Sequence, residues 1–130
     1  ERMGLSDPES ILGAYPFQLS GGQRQRVGIA MAMTFQPKLL LADEPTSALD
    51  VTTQAQIVRQ MLELRDTYGT AILLVTHNLA VAAYMASRIL VMRNGSTVEQ
   101  GDRESLLRSQ EPYTRQLLQA VPDLGGKCYV

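Results

Sequence analysis

Four groups of residues have types and spacings that can do chemistry. The first is Ser20-Gly21-Gly22-Gln23 after Leu19, at the start of a stretch running to Phe35. Two adjacent glycines let a ligand come close to the backbone, Ser20 offers a hydroxyl, and a helix N-terminus presents unpaired N–H groups with partial positive charge. That suits an anion such as a terminal phosphate. A serine N-cap with a flexible turn accounts for the same residues without a ligand. The second group is Asp43-Glu44, directly after the apolar run Leu39-Leu40-Leu41-Ala42. At the carboxyl end of a buried strand, one acid can hold Mg²⁺ and its neighbour can orient or deprotonate a water. Glu44-Pro45-Thr46-Ser47 also reads as a polar turn between strand and helix. The third group, Ser47-Ala48-Leu49-Asp50, ends in an acid that can cap the helix after it. The fourth is His77, which follows the run Ala71 to Thr76. A histidine there can be structural, or can share a sheet edge with Glu44 if the two strands are parallel.

The elements that position these residues are legible in outline. Ser6-Asp7-Pro8-Glu9 reads as a cap and first turn of a short helix of about 6 to 8 residues. The second helix starts at or just after Gly21-Gly22 and is closed by Pro37. Leu39–Asp43 and Ala71–Thr76 read as strands buried on both faces, as parallel sheets make them. Between them, Ile57, Met61 and Leu64, with Val58 and Leu62 beside them, recur at helical spacing over Thr53 to Tyr68, and Gly69 is the stop. Strand, helix, strand in that order predicts a parallel pair with a right-handed crossover. Leu79 to Ser87 reads as a helix. Arg88–Met92 and Ser96–Gln100 flank Asn94-Gly95, a strong hairpin signal. Asp102 to Ser109 and Tyr113 to Ala120 read as two last helices, before a loose Gly125-Gly126-Lys127 tail.

Composition narrows the function classes. The chain has 130 residues, 45% apolar and 19% charged, with 12 Lys and Arg against 13 Asp and Glu, so the formal charge is -1. No basic excess draws it to nucleic acid or to an anionic membrane. Its apolar runs fall far short of the roughly 20 residues that span a bilayer. Cys128 and His77 are the only cysteine and histidine, too few for a disulfide framework or a cysteine-histidine zinc cage. The first residue is Glu1 rather than Met, with no signal-peptide pattern after it, so the chain reads as a portion of something longer.

Taken together, Leu-Ser-Gly-Gly-Gln at 19 to 23, Leu-Leu-Leu-Ala-Asp-Glu-Pro at 39 to 45, Ser-Ala-Leu-Asp at 47 to 50 and Thr-His at 76 to 77 resemble four motifs of ATP-binding cassette (ABC) ATPases. These are the signature, Walker B, D-loop and H-loop. The resemblance runs from about Leu5 to Pro122. Tyr15-Pro16, Val51-Thr52, Gln54-Ala55-Gln56 and the run Pro112 to Pro122 are similar to the ATPase subunits of dipeptide, oligopeptide and nickel importers. The resemblance implies a partial P-loop NTPase fold of α/β class: parallel strands with crossover helices, then a C-terminal hairpin and helices, without the P-loop strand. It divides the chain into a signature-bearing helical region at 1–36, a Walker B to H-loop core and hairpin at 37–101, and C-terminal helices and tail at 102–130.

It also implies roles. Ser20, Gly21, Gly22 and Gln23 would contact the γ-phosphate of an ATP held by the opposite subunit of a dimer. Asp43 would act on Mg²⁺, Glu44 would polarise the attacking water, His77 would hold the γ-phosphate side and align that water, and Asp50 would act across the dimer interface. The implied partners are a second ABC ATPase subunit, identical or related, and the membrane subunits of a transporter, which would place the protein on the cytoplasmic side of the cell membrane. No nucleic acid is expected.

Three departures from the family pattern stand out. Phe17 occupies a position where many such importers carry His, a change expected not to remove chemistry. Asn78 occupies one where Asp commonly follows the histidine, a change expected to leave His77 in place but to weaken a neighbouring acceptor. No Gly-x-x-x-x-Gly-Lys-Ser/Thr run occurs in the chain. The Walker A cradle and its lysine dominate nucleotide affinity, so these residues alone are expected to bind ATP weakly or not at all, not to turn it over, and to self-associate through exposed sheet edges. The competing expectation is a non-catalytic module acting through protein contacts alone. An ABC-type ATPase of DNA repair or translation fits less well, for want of heptads and basic clusters.

Overall fold

A computed structural model describes residues 4, 5 and 7–120. Their contacts group them into two compact units, one reaching to Val75 and the other starting at Thr76.

In the first unit, Asp7 caps helix α1 (Pro8–Leu12) by accepting the Ser10 N–H at 3.2 Å, and proline enters in the first turn. A 3₁₀ turn at Pro16–Gln18 leads to α2 (Gly21–Met33). That helix ends before the expected stop at Pro37. The chain turns through Thr34 to Gln36, where φ reaches +46° and the Gln36 N–H closes on the Met33 carbonyl at 3.0 Å. Strand β1 (Leu39–Asp43) and strand β2 (Ala71–Val75) pair in parallel, with Leu39 opposite Ala71 and Asp43 opposite Val75. Helix α3 (Val51–Tyr68) connects them. It stops where Gly69 adopts φ +64°, the left-handed conformation that glycine takes without a β-carbon penalty.

The core of this unit follows the helical spacing read from the sequence. Ile57, Val58 and Met61 are fully buried, with Leu64 one turn further on. Each such side chain contributes roughly 2 kcal/mol by leaving water. Ile29 and Met33 of α2 and Ala42 of β1 are buried too, and α2 and α3 are in contact. Thr70, also buried, donates its hydroxyl to the Pro37 carbonyl at 2.8 Å, and the Ala71 N–H reaches Lys38 O at 2.9 Å. These bonds fix the entry to β2 beside the entry to β1.

One expectation fails here. The strands are not buried on both faces: exposure alternates along each, and Leu39, Leu41, Leu73 and Val75 lie more than half exposed. The register puts Leu41 opposite Leu73, so these residues share one face. An uninterrupted apolar run looks the same whether or not a layer covers its second face.

The second unit holds α4 (Leu79–Met85), an antiparallel hairpin of β3 (Ile89–Arg93) and β4 (Ser96–Gly101), then α5 (Arg103–Leu107) and α6 (Pro112–Gln119). Asn94 and Gly95 both take positive φ, +51° and +77°, as the Asn-Gly signal requires. A bulge breaks the register between Val91 and Met92, leaving Val98 as the extra residue on β4. Val98 packs against the cluster of Ala83, Ile89, Val91 and Leu106, joined there by Tyr113 and Leu117 of α6. The Arg93 guanidinium lies 4.8 Å above the Tyr113 ring. The tail from Gly125, with Cys128, lies outside the described residues.

Candidate functional site

Ser20 and Gln23 cap α2 reciprocally. The Ser20 hydroxyl oxygen accepts the Gln23 N–H at 3.2 Å, and the Gln23 side-chain oxygen accepts the Ser20 N–H at 2.8 Å. The capping reading is therefore correct, and it does not compete with anion binding. Ser20 accepts in the cap, which leaves its own proton to donate outward. The amides of Gly21 and Gly22 belong to the first helical turn and have no carbonyl partner within the helix. Upstream, Arg24 holds the approach in place by donating to Leu19 O at 2.9 Å and Pro16 O at 3.3 Å. Phe17, 79% exposed, stacks on Tyr15 with ring centroids 5.6 Å apart and planes 6° off parallel. The departure at this position thus sits on the surface and leaves the signature backbone alone.

Asp50 stands at the N-terminus of α3 and caps it. Its Oδ1 accepts the Thr53 N–H at 2.9 Å and its Oδ2 accepts the Thr53 hydroxyl at 2.7 Å. The Thr53 hydroxyl first and the Thr53 amide second hold this carboxyl below the usual aspartate value. Ser20 to Gln23 and Asp50 line one depression of about 260 Å³, so the structure brings these two sequence-predicted groups together. Arg26, Thr53 and Gln56 line it as well, and none of them was named as a site residue from sequence. Arg26 spans the space, donating to Gln56 Oε1 at 2.6 Å and to Gly4 O at 2.7 Å. The signal was present in spacing: Arg26 lies three residues after Gln23, and Thr53 three after Asp50, each one turn along a helix.

Asp43 ends β1 with its side chain exposed, and Glu44 follows in a half-buried position. Glu44 has φ +47°, a conformation that costs a non-glycine residue roughly 1 kcal/mol or more. Three bonds keep it there. Its N–H donates to Val75 O at 2.9 Å, continuing the parallel ladder by one residue, while its carbonyl accepts the Ser47 N–H at 3.1 Å and the Ser47 hydroxyl at 2.9 Å. Pro45 and Thr46 are buried beneath the turn, and Ala48 takes φ +65° before Asp50. The turn is therefore specified by backbone bonding over its whole length, and it sets the direction in which Glu44 leaves the strand.

His77 belongs to the second unit, exposed and two residues beyond the end of β2. Asn78 next to it caps α4: its side-chain oxygen accepts from the N–H groups of Ala80 and Val81 at 3.1 and 3.3 Å, and its own N–H donates to Thr76 Oγ1 at 3.0 Å. An amide oxygen serves this cap as well as a carboxylate, so the change from the family's usual Asp leaves the acceptor in place.

Among the described residues, no three His, Cys, Asp or Glu side chains cluster to hold a metal. A single carboxylate such as Asp43 suits Mg²⁺, which keeps waters and takes phosphate oxygens for its remaining positions. Among the described residues no helix is long and apolar enough to cross a membrane.

Comparison with known proteins gives the same direction. Residues 1–47 match the family described as ABC transporter. The dipeptide transport ATP-binding protein DppD of Escherichia coli (strain K12) is 51% identical over 123 residues, which is 94% of this chain and 38% of that protein. The glutathione import ATP-binding protein GsiA of the same strain is 48% identical over 127 residues, 97% of this chain and 20% of the relative. The chain thus spans well under half the length of these relatives. Among solved structures, the post-hydrolysis dimer of the ATP-binding cassette MJ0796 bound to ADP and Pi aligns with a TM-score of 0.67 at 34% identity, over 78% of this chain and 43% of that one. The ADP conformation of the cassette MJ1267 aligns at 0.66 and 26% identity, over 79% and 41%.

Proposed function

We propose that the chain belongs with the ATP-binding proteins of ABC transporters, and that it supplies the signature face and the water-activating edge of an ATPase that powers import of peptides or a related small solute. The observation that carries this reading is the shared depression formed by Ser20 to Gln23 and Asp50, at the end of a chain segment that runs on from Asp43-Glu44.

The chemistry asked of these residues is phosphoryl transfer to water, which depends mostly on positioning and charge stabilisation. The first-turn amides of Gly21 and Gly22 and the Ser20 proton donate to the γ-phosphate oxygens of an ATP held by the opposite subunit. The partial positive charge of the α2 N-terminus adds to them. Gln23 keeps that turn closed through its bond to the Ser20 amide. Glu44 accepts hydrogen bonding from the attacking water and takes up its proton as the new P–O bond forms. Bound Mg²⁺ would neutralise phosphate charge, and Asp43 is the residue to hold it. His77 holds the γ-phosphate side, and Asp50 acts across the subunit interface. The partners are a second ATP-binding subunit and the membrane subunits of the transporter, which hold the protein at the inner face of the cell membrane.

The test uses the complete ATP-binding protein in its reconstituted transporter. Glu44→Gln keeps ATP binding and abolishes phosphate release; undiminished release would show that Glu44 does not activate the water. In the same assay, the 130-residue chain on its own stays at background, since it has no Gly-x-x-x-x-Gly-Lys loop to hold the nucleotide.

A further inference from the structure

Gly22 and Thr53 meet where the N-termini of α2 and α3 come together. A β-carbon built on Gly22 would lie 2.6 Å from Thr53 Cγ2 and 4.0 Å from its Cβ. No real pair of carbons stays that close without a shift of one of them. One built on Gly21 would lie 3.2 Å from Leu49 Cδ2, a milder conflict with a side chain that can move. Thr53 has no such freedom. Its hydroxyl donates to Asp50 Oδ2 at 2.7 Å and its amide to Oδ1 at 2.9 Å. In threonine a single torsion places both methyl and hydroxyl. Turning the methyl away from Gly22 therefore carries the hydroxyl off Asp50.

We propose that Thr53 is a positioning residue that locks the Ser20 to Gln23 turn to Asp50, so that signature and D-loop move as one body. This rests on the reading that both turns face phosphate and subunit interface in the assembled ATPase, and it gives Gly22 a second reason to be glycine. A side chain at position 22 displaces either α2 or the Thr53 to Asp50 bond, and the disturbance reaches the D-loop even where the ligand side of the turn is untouched. Arg26, donating to Gln56 on α3, joins the same two helices one turn deeper.

The lock is tested in the complete ATP-binding protein assembled with its partner subunits, with Gly22→Ala, Thr53→Val and the double variant Gly22→Ala/Thr53→Ser. Serine keeps the hydroxyl and removes the methyl that a new β-carbon would strike. Gly22→Ala is expected to lower phosphate release by roughly tenfold to a hundredfold, the scale of a small misplacement of reacting groups, and to lower the melting temperature. The double variant is expected to recover most of both losses. Thr53→Val keeps the shape and loses the hydroxyl, so kcat falls while KM for ATP stays within about twofold. A double variant no better than Gly22→Ala, or a Thr53→Val protein indistinguishable from wild type, overturns the proposal. If the wild-type assembly itself releases no phosphate, the ATPase reading fails instead. Melting then still decides the lock: Thr53→Ser must restore what Gly22→Ala takes away.

Discussion

At Asp50, one carboxylate caps the helix that follows it and lines the depression beside it. Hydrogen bonds from the Thr53 hydroxyl and amide favour its ionised form, so its folded pKa lies below the ordinary 3.8. A group depressed in this way stabilises the fold fully above its unfolded value and loses that contribution as pH falls through the folded value. Asp102, held down by Ser105, and Glu99, held down by the Ser109 hydroxyl at 2.6 Å, act in the same sense. Thermal melting should therefore be level from neutral pH to about 5 and fall below that. Asp50→Asn should make the acid limb shallower while the cap persists, because asparagine caps nearly as well. An acid limb of unchanged slope would show that Asp50 is not among the groups that set it. The exposed Phe17 and the capping Asn78 teach a related point: both depart from the family pattern, and Phe17 stacks on Tyr15 while Asn78 still accepts the α4 cap bonds.

Elements set by local chemistry were readable in the sequence, and those set by distant partners were not. Asn94-Gly95 demands two positive φ angles and receives them, and Asp50 and Asp102 cap the helices expected after them. Gly69 ends α3 in the left-handed conformation. Nothing lies within 4 Å of a β-carbon added there, so Gly69→Ala meets backbone strain without a clash. It should destabilise the protein by about 1 kcal/mol in chemical denaturation, and no loss would mean that the turn has relaxed. By contrast, nothing in a glutamate or an alanine announces φ +47° at Glu44 or +65° at Ala48. The Glu44 angle is held by the bond of its amide to β2, about thirty residues away along the chain, and by Ser47 closing the turn. The bulge at Val98 is likewise a matter of what packs beneath it. For the site, the residue types and their order were legible, while the junction of Gly22 with Thr53 needed two helices to be seen together.

At the scale of the molecule, the exposed sheet face of Leu39, Leu41, Leu73 and Val75 groups four apolar side chains among the described residues. Grouped exposed apolar side chains of this kind favour association. The 130-residue chain should sediment as an assembly, and Leu41→Lys with Leu73→Lys, which puts two like charges opposite each other on that face, should shift it to monomer. A wild-type chain that is monomeric and monodisperse would rule this out. The stacked pair Tyr15 and Phe17 has a use of a different kind. The protein contains five tyrosines and no tryptophan, so it has no indole emission. Phe17→Trp would install a single long-wavelength fluorophore on the segment leading into Ser20, at a side chain already in open solvent. A blue shift of that emission on assembly would mark water leaving this corner of the surface, read optically and without any enzymatic step.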